Sequence, residues 1–253
     1  MKDVPKEVVV SEIIRMFYDI ISEVVKGSKD EEHFYEVFTD EAARSEIESL
    51  SEYGFHFEKS EHPFSAINMY RYAMVNANSY IFVDEVSPVL DGKDGIKMNF
   101  RRCPYRDICA SYKETNFCIR GWAYVYMINN YSQGKSKMLR RNYDPLGNCS
   151  TDIKVEFKTL ENIPDDDGKN VNLYRVLTRE QYLDIVLESW LEAIEASAIK
   201  VFGKEGGRAF LKKVHEKLVD KWIEKFFKID YYIGYPLYLW KNGELLFGNE
   251  IDI

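Results

Sequence analysis

Along residues 6–26 the apolar positions Val9, Ile13, Phe17, Ile20, Ile21 and Val24 recur every three or four residues. That spacing predicts an amphipathic helix, with Gly27 as its stop and Glu12, Arg15, Asp19 and Glu23 along the polar side. Residues 30–52 repeat the pattern through Phe34, Val37, Phe38, Ala42 and Ile47, and it breaks at YGFHF, residues 53–57. From residue 64 the character changes toward strands. AINMYRYAMV (66–75) reads as a strand, and SYIFVDEV (79–86) is rich in β-branched and aromatic residues. VLDGKDG (89–95) is turn chemistry, and IKMNFRR (96–102) then alternates Ile96, Met98 and Phe100 with polar neighbours. An antiparallel pair is expected there, with Cys103 just beyond its second strand.

Further on, a short helical turn and a helix through WAYVYMI are expected within residues 105–128. KSKMLRRNY (135–143) reads as a strand, DPLGN (144–148) as a turn, and DIKVEF (152–157) alternates as a half-buried strand, so Cys149 stands at a strand start. ENIPDDDGKN (161–170) is acidic, has little to bury, and reads as a linker. Beyond it, residues 177–202 hold helical spacing for more than six turns, opened by a Thr178/Gln181 capping box. GKEGG (203–207) breaks the pattern and residues 208–227 resume it, which predicts an αα-hairpin. Asn242-Gly243, between two apolar runs, predicts a terminal β-hairpin. The fold class is therefore α+β: N-terminal helices, a mainly antiparallel sheet, a C-terminal helical hairpin and a small β-hairpin. The domain reading is 1–160, bearing the cysteines, and 161–253, bearing the helical hairpin.

The 45% hydrophobic and 30% charged content of the 253 residues is that of a soluble globular chain. A net charge of −8 argues against a nucleic-acid partner, which needs lysine and arginine to neutralise phosphates. No apolar run approaches the ~20 residues of a membrane span, so no membrane association is expected. MKDVPKE shows no signal-peptide pattern, which makes a cytoplasmic location the expectation. The 18 tyrosines mildly favour an amphipathic ligand cavity.

All four cysteines fall between residues 103 and 149, spaced C-x5-C-x8-C-x30-C. Zinc and iron–sulfur sites are usually prepared by C-x2-C knuckles, which are absent; Cys103, Cys109, Cys118 and Cys149 could nonetheless converge as four thiolates on zinc or a cluster. Alternatively Cys103 is a reactive thiol, activated by Arg101, Arg102 and Arg106 and by Pro104 at a helix or turn start. A base would then come from His56 or His62, whereas His33 and His215 read as ordinary surface residues. Arg101, Arg102, Arg140 and Arg141 flank the cysteines, and a guanidinium clamps a carboxylate through two hydrogen bonds. Neighbours on a strand face opposite ways, so one of each pair can reach a given pocket; Arg102 and Arg141 are the candidates. Dinucleotide, P-loop, H-E-x-x-H and G-x-S-x-G motifs are absent, and DGKDG and PDDDGKN lack the ligand spacing of calcium loops.

Between Ile96 and Phe157, the strand IKMNFRRCPY leading into Cys-Pro, the FC at 117–118, and the arginine strand RRN before LGNCSTDIKVEF form an ordered set. This order resembles the L-2-amino-thiazoline-4-carboxylic acid hydrolase-like family, and more distantly the cysteine-bearing end of 4-vinyl-reductase-type domains. The family positions would be Cys103, Pro104, Cys118 and Cys149; Cys109 and everything after residue 160 have no counterpart. The resemblance implies a small-molecule pocket near cysteines and the opening of a C–N or C–S bond. The leading expectation is thus a hydrolase-like enzyme acting on a small carboxylated compound, with Cys103 and His56 as catalytic pair and Arg102 and Arg141 binding substrate. The alternatives are a zinc or iron–sulfur protein on the four cysteines, and a non-enzymatic ligand-binding or interaction module. The helical hairpin could serve as a lid or as a homodimer surface.

Overall fold

The structure, a computed structural model, describes residues 6–26, 28–76, 86–101, 109–110, 118–146, 148–164, 172–173, 177–226, 239–241 and 244–246. Its elements run α1 (Lys6–Val25), α2 (Glu31–Glu52), β1 (Phe55–His56), α3 (Pro63–Asn76), β2 (Val86–Leu90) and β3 (Gly95–Phe100). Then come α4 (Ile119–Tyr131), β4 (Lys135–Asn142), β5 (Ser150–Glu156), β6 (Asn172–Leu173), α5 (Arg179–Phe226), β7 (Leu239–Lys241) and β8 (Glu244–Leu246). The expected α+β class is observed. By internal contacts the chain groups into residues 1–41 with 186–253, and residues 42–185. This is a grouping in space, unlike the division along the sequence at 160/161.

In the first unit the amphipathic faces of α1, of early α2 and of later α5 bury aromatic rings. Phe34 lies 5.6 Å from Phe202 and 5.1 Å from Phe210, and Phe38 meets Trp190 edge-on at 5.2 Å. Phe202 and Phe210 flank the break in α5 and are 5.2 Å apart, so the chain turns back between them. The break is Gly203, at φ 70° and ψ 175°, a conformation open essentially to glycine alone. Lys200 Nζ reaches the buried Glu41 carboxylate at 2.5 Å. β7 and β8 pair antiparallel, while the Asn242-Gly243 turn lies outside the described residues, as does the Gly27 stop.

The second unit centres on a four-stranded antiparallel sheet ordered β2-β3-β5-β4. Its inner face carries Ile96, Met98 and Phe100 from β3 and Thr151, Ile153 and Val155 from β5, all buried. On β4 the register shifts between Met138, opposite Ile153, and Arg140, opposite Asp152. Leu139 is the extra residue of this bulge and is exposed. α5 opens with the expected capping box. The Gln181 N–H donates to Thr178 Oγ1 at 3.2 Å and the Thr178 N–H to Gln181 Oε1 at 3.0 Å.

One expectation is overturned. AINMYRYAMV is not a strand but the body of α3. Phe64, Ala66, Ile67, Met69, Tyr70, Ala73 and Met74 are all buried, so the helix is apolar nearly all round and carries no clear periodicity. Local chemistry starts it. Pro63 takes the first helical position, and His62 before it accepts the Phe64 N–H on Nδ1 at 3.1 Å. Residues 79–85, the helical turn expected from residue 105 and the linker's 165–170 lie outside the described residues, apart from 109–110 in the second case.

Candidate functional site

α4 lies across the inner face of the sheet, and its start marks one sheet end. Gly121 makes the close approach. A Cβ there would stand 2.8 Å from Thr151 Cγ2 and 3.1 Å from Met138 Sδ. At the other end of the helix, Asn129 takes the Ser136 N–H on Oδ1 at 2.6 Å and gives its amide to the Ser136 carbonyl at 3.1 Å. Cys118 caps α4, its buried sulfur accepting the Gly121 N–H at 3.4 Å. Two residues on, the Arg120 guanidinium sits 5.0 Å over the Phe100 ring.

Phe100 ends β3, and its N–H donates to the Cys149 carbonyl at 2.8 Å, so Cys149 opens β5 at this same sheet end. The Cys149 thiol is buried and accepts the Asp144 N–H at 3.4 Å, with Asp144 O 3.7 Å away. On β4 the tandem arginines separate as strand alternation requires. Arg140 is exposed and pairs with Asp152 at 3.2 Å. Arg141 is 6% exposed, in register with Thr151 and so with Met98 beyond it, and its guanidinium lies 5.9 Å over the Tyr143 ring.

A polar cluster joins this end from the helices. Glu46 on α2 accepts the Tyr70 hydroxyl on Oε2 at 2.8 Å and the Tyr182 hydroxyl on Oε1 at 3.0 Å. Tyr70 meets Tyr124 edge-on at 5.4 Å, and Tyr124 contacts Phe100 at 6.3 Å. Glu46 as a residue is half-buried, but its carboxyl is enclosed. Burial raises its pKa, while the two hydroxyls and the Arg120 charge pull it back. Burial also pushes Tyr124 up to about 12, against the opposing pull of Arg120 and Arg71, with Glu46 adding to the rise. Tyr70 rises well above its ordinary value through burial and then the Glu46 charge. Both hydroxyls therefore stay protonated near neutrality, and that of Tyr70 donates to Glu46. The cluster combines a carboxyl that holds a proton more readily than ordinary glutamate, fixed hydroxyl donors and a cation. These are the parts of acid–base chemistry and of anion binding.

Of the residues predicted from sequence, Cys103 and Arg102 lie outside the described residues. Arg141 faces inward. Cys118 and Cys149 lie at the sheet end, each sulfur hydrogen-bonded to backbone, and Cys109 is half-buried; all three are thiols. Among the described residues no three His, Cys, Asp or Glu side chains are grouped to hold a metal ion, so these three cysteines do not make such a site among themselves. His56 is exposed on β1, opposite Asn172. His62 is committed to capping α3, its Nε2 3.3 Å from the Thr159 carbonyl. The Glu46 cluster was missed because its members lie 24 and 136 positions apart in sequence. The excess of tyrosine was its one sequence signal.

Comparison of this chain with protein-family models, with curated proteins and with solved structures finds no match. No helix among the described residues is long and apolar enough to cross a membrane.

Proposed function

We propose that residues 42–185 carry a hydrolase-type site for a small carboxylated compound, opening a C–N or C–S bond. One observation carries the reading. The Glu46 carboxyl is gripped by the hydroxyls of Tyr70 and Tyr182 and sits within the electrostatic reach of Arg120, at the sheet end where Cys118 and Cys149 also lie. Arg141, buried on the inner face, is the group for the substrate carboxylate. Cys103, three positions past Phe100 in sequence, is the nucleophile. Its sulfur, as the thiolate, bonds to the carbon bearing the scissile bond, and the departing nitrogen or sulfur takes the proton that Glu46 holds. Water then cleaves the thiol–carbon bond and restores both groups. Glu46 replaces His56 in the acid–base role, because His56 is exposed on the short β1 strand.

The test is a mass-spectrometric screen of small carboxylated thiazolines, amides and thioesters for products that have gained one water. Wild type is expected to convert at least one of them, and C103S to convert none. In the E46Q variant the rate should lose its fall at rising pH, since the proton-donating form of Glu46 is depleted as pH climbs through its raised pKa. A panel left wholly unconverted, or a C103S variant as active as wild type, overturns the proposal.

A further inference from the structure

We infer that the face of the four-stranded sheet turned away from α4 docks an acidic segment of a partner protein. This surface stands apart from the small-molecule reading above, because it uses none of the same residues. Strand alternation sends Lys97 of β3, Lys154 of β5 and Lys135, Lys137 and Arg140 of β4 to this face, together with Asp152 and Glu156 of β5. Five cations thus meet two carboxylates on one surface of a chain whose net charge is −8. The surface is uncovered. Lys97 and Lys154 lie on the two inner strands, yet their side chains are 41% and 43% exposed. Lys135, Lys137 and Arg140, on the edge strand, are exposed as well.

The cations are also set against each other. Lys137 and Lys154 are directly opposite partners in the β4–β5 ladder, which puts their Cβ atoms about 5 Å apart. Lys97 stands two places along β3 from Gly95, the partner of Lys154, and so on the diagonal at about 7–8 Å. Like charges directly opposite one another destabilise a sheet, so this triangle of ammonium groups is better tolerated when an anion covers it. The carboxylates nearby are engaged elsewhere. Asp152 is held by Arg140 at 3.2 Å and meets Lys97 at 3.9 Å, and Glu156 faces Lys135 across the ladder. Asp94, on the β2–β3 turn, comes to 3.9 Å from Lys154. Lys137 has no ion-pair partner among the described residues. An extended acidic peptide matches the triangle, because its alternate side chains recur about 7 Å apart on one face. Val89, opposite Lys97 on β2, and Leu139, the bulge residue of β4, are both half-exposed and give a peptide apolar contacts at the two edges. Asp152 and Glu156, set among the cations, oppose a uniform polyanion such as nucleic acid. A second copy meeting this face about a twofold axis would bring the lysines against themselves.

The experiment is fluorescence anisotropy at low salt with the full chain and a labelled, end-blocked peptide of alternating glutamate and leucine. The comparison probes are the same peptide with glutamine for glutamate and a single-stranded oligonucleotide, with vesicles of phosphatidylserine and phosphatidylcholine tested by co-sedimentation. The acidic peptide is expected to bind at least about tenfold tighter than its glutamine counterpart, with a margin that shrinks as salt is raised. K137E and K154E should each weaken it at least about fivefold, one exposed ion pair being lost and a repulsion gained. K137E also turns the opposed lysines into an attracting pair, so it should unfold at no lower urea than wild type, and its lost binding is then not lost fold. K204E, exposed on α5 just past Gly203, should leave binding unchanged. Equal affinity for the two peptides, no binding, or tighter binding of the oligonucleotide or the vesicles overturns the inference. K137E and K154E binding like wild type, K204E weakening binding as much as they do, or K137E unfolding at lower urea overturns it as well. So does self-association in sedimentation velocity that K137E abolishes, since a second copy would then cover the face.

Discussion

Replacing Gly121 by alanine tests how α4 is seated on the sheet. The added Cβ would stand 2.8 Å from Thr151 Cγ2 and 3.0 Å from its Oγ1. Ordinary carbon contacts fall at about 3.5–4.0 Å, so the neighbour must give by more than half an ångström. Met138 Sδ, at 3.1 Å, is the far end of a flexible chain and can swing away. Thr151 cannot, being β-branched, fully buried and on an inner strand. Nor can the helix simply lift, because Asn129 ties its far end to Ser136. Overpacking of this kind costs about 1–3 kcal/mol. Alanine returns at most about 1 kcal/mol in helix propensity over glycine. The net expectation is a loss of about 1–2 kcal/mol in urea unfolding, the difference of those two effects. Truncating the obstacle reverses the sign. In a T151A background the new methyl has room, so G121A should be neutral or stabilising there, with a coupling of about 1 kcal/mol or more between the sites. Additivity of the two changes within about 0.5 kcal/mol would refute the steric account.

Two further outcomes are expected. Burial lowers the His62 pKa in the fold, outweighing its backbone hydrogen bonds to Thr159 and Leu160. Its contribution is therefore complete above the ordinary imidazole value of 6.5 and is lost as pH falls through the depressed folded value. The difference between wild type and H62N in urea melts across that range should show the loss, since asparagine caps without titrating; parallel curves would contradict it. At Gly203 nothing stands within 4 Å of an added Cβ, so any penalty is backbone strain alone. G203A should cost about 1–3 kcal/mol by thermal unfolding. G203N should cost as much, because at ψ 175° asparagine's usual left-handed allowance does not apply. A neutral G203A would mean that the turn is not held in this conformation.

The helices with one apolar stripe, α1 and α2, were legible from spacing, as was the capping box that starts α5. The sheet strands were legible where one face is wet, in β3 and β5. α3 was not, because burial on every side erases the period that separates helix from strand, and its start signal is a histidine cap. The site divides in the same way. The opposition of Arg140 and Arg141 followed from strand alternation alone. The Glu46 cluster did not, because Tyr70, Tyr124 and Tyr182 acquire their meaning only when four helices bring them to one carboxyl. Cys118 and Cys149 drew notice for their chemistry, yet each sulfur closes a backbone turn.

The bulge at Leu139 decides which arginine points inward. Were the bulge pressed flat so that Leu139 paired opposite Asp152, every β4 position after it would exchange faces, and Arg140 would take the place opposite Thr151. Because the two residues are identical, the interior would still receive a guanidinium. The doubled arginine thus makes the inward cation tolerant of a one-residue slip, a redundancy that a single arginine at either position would not provide.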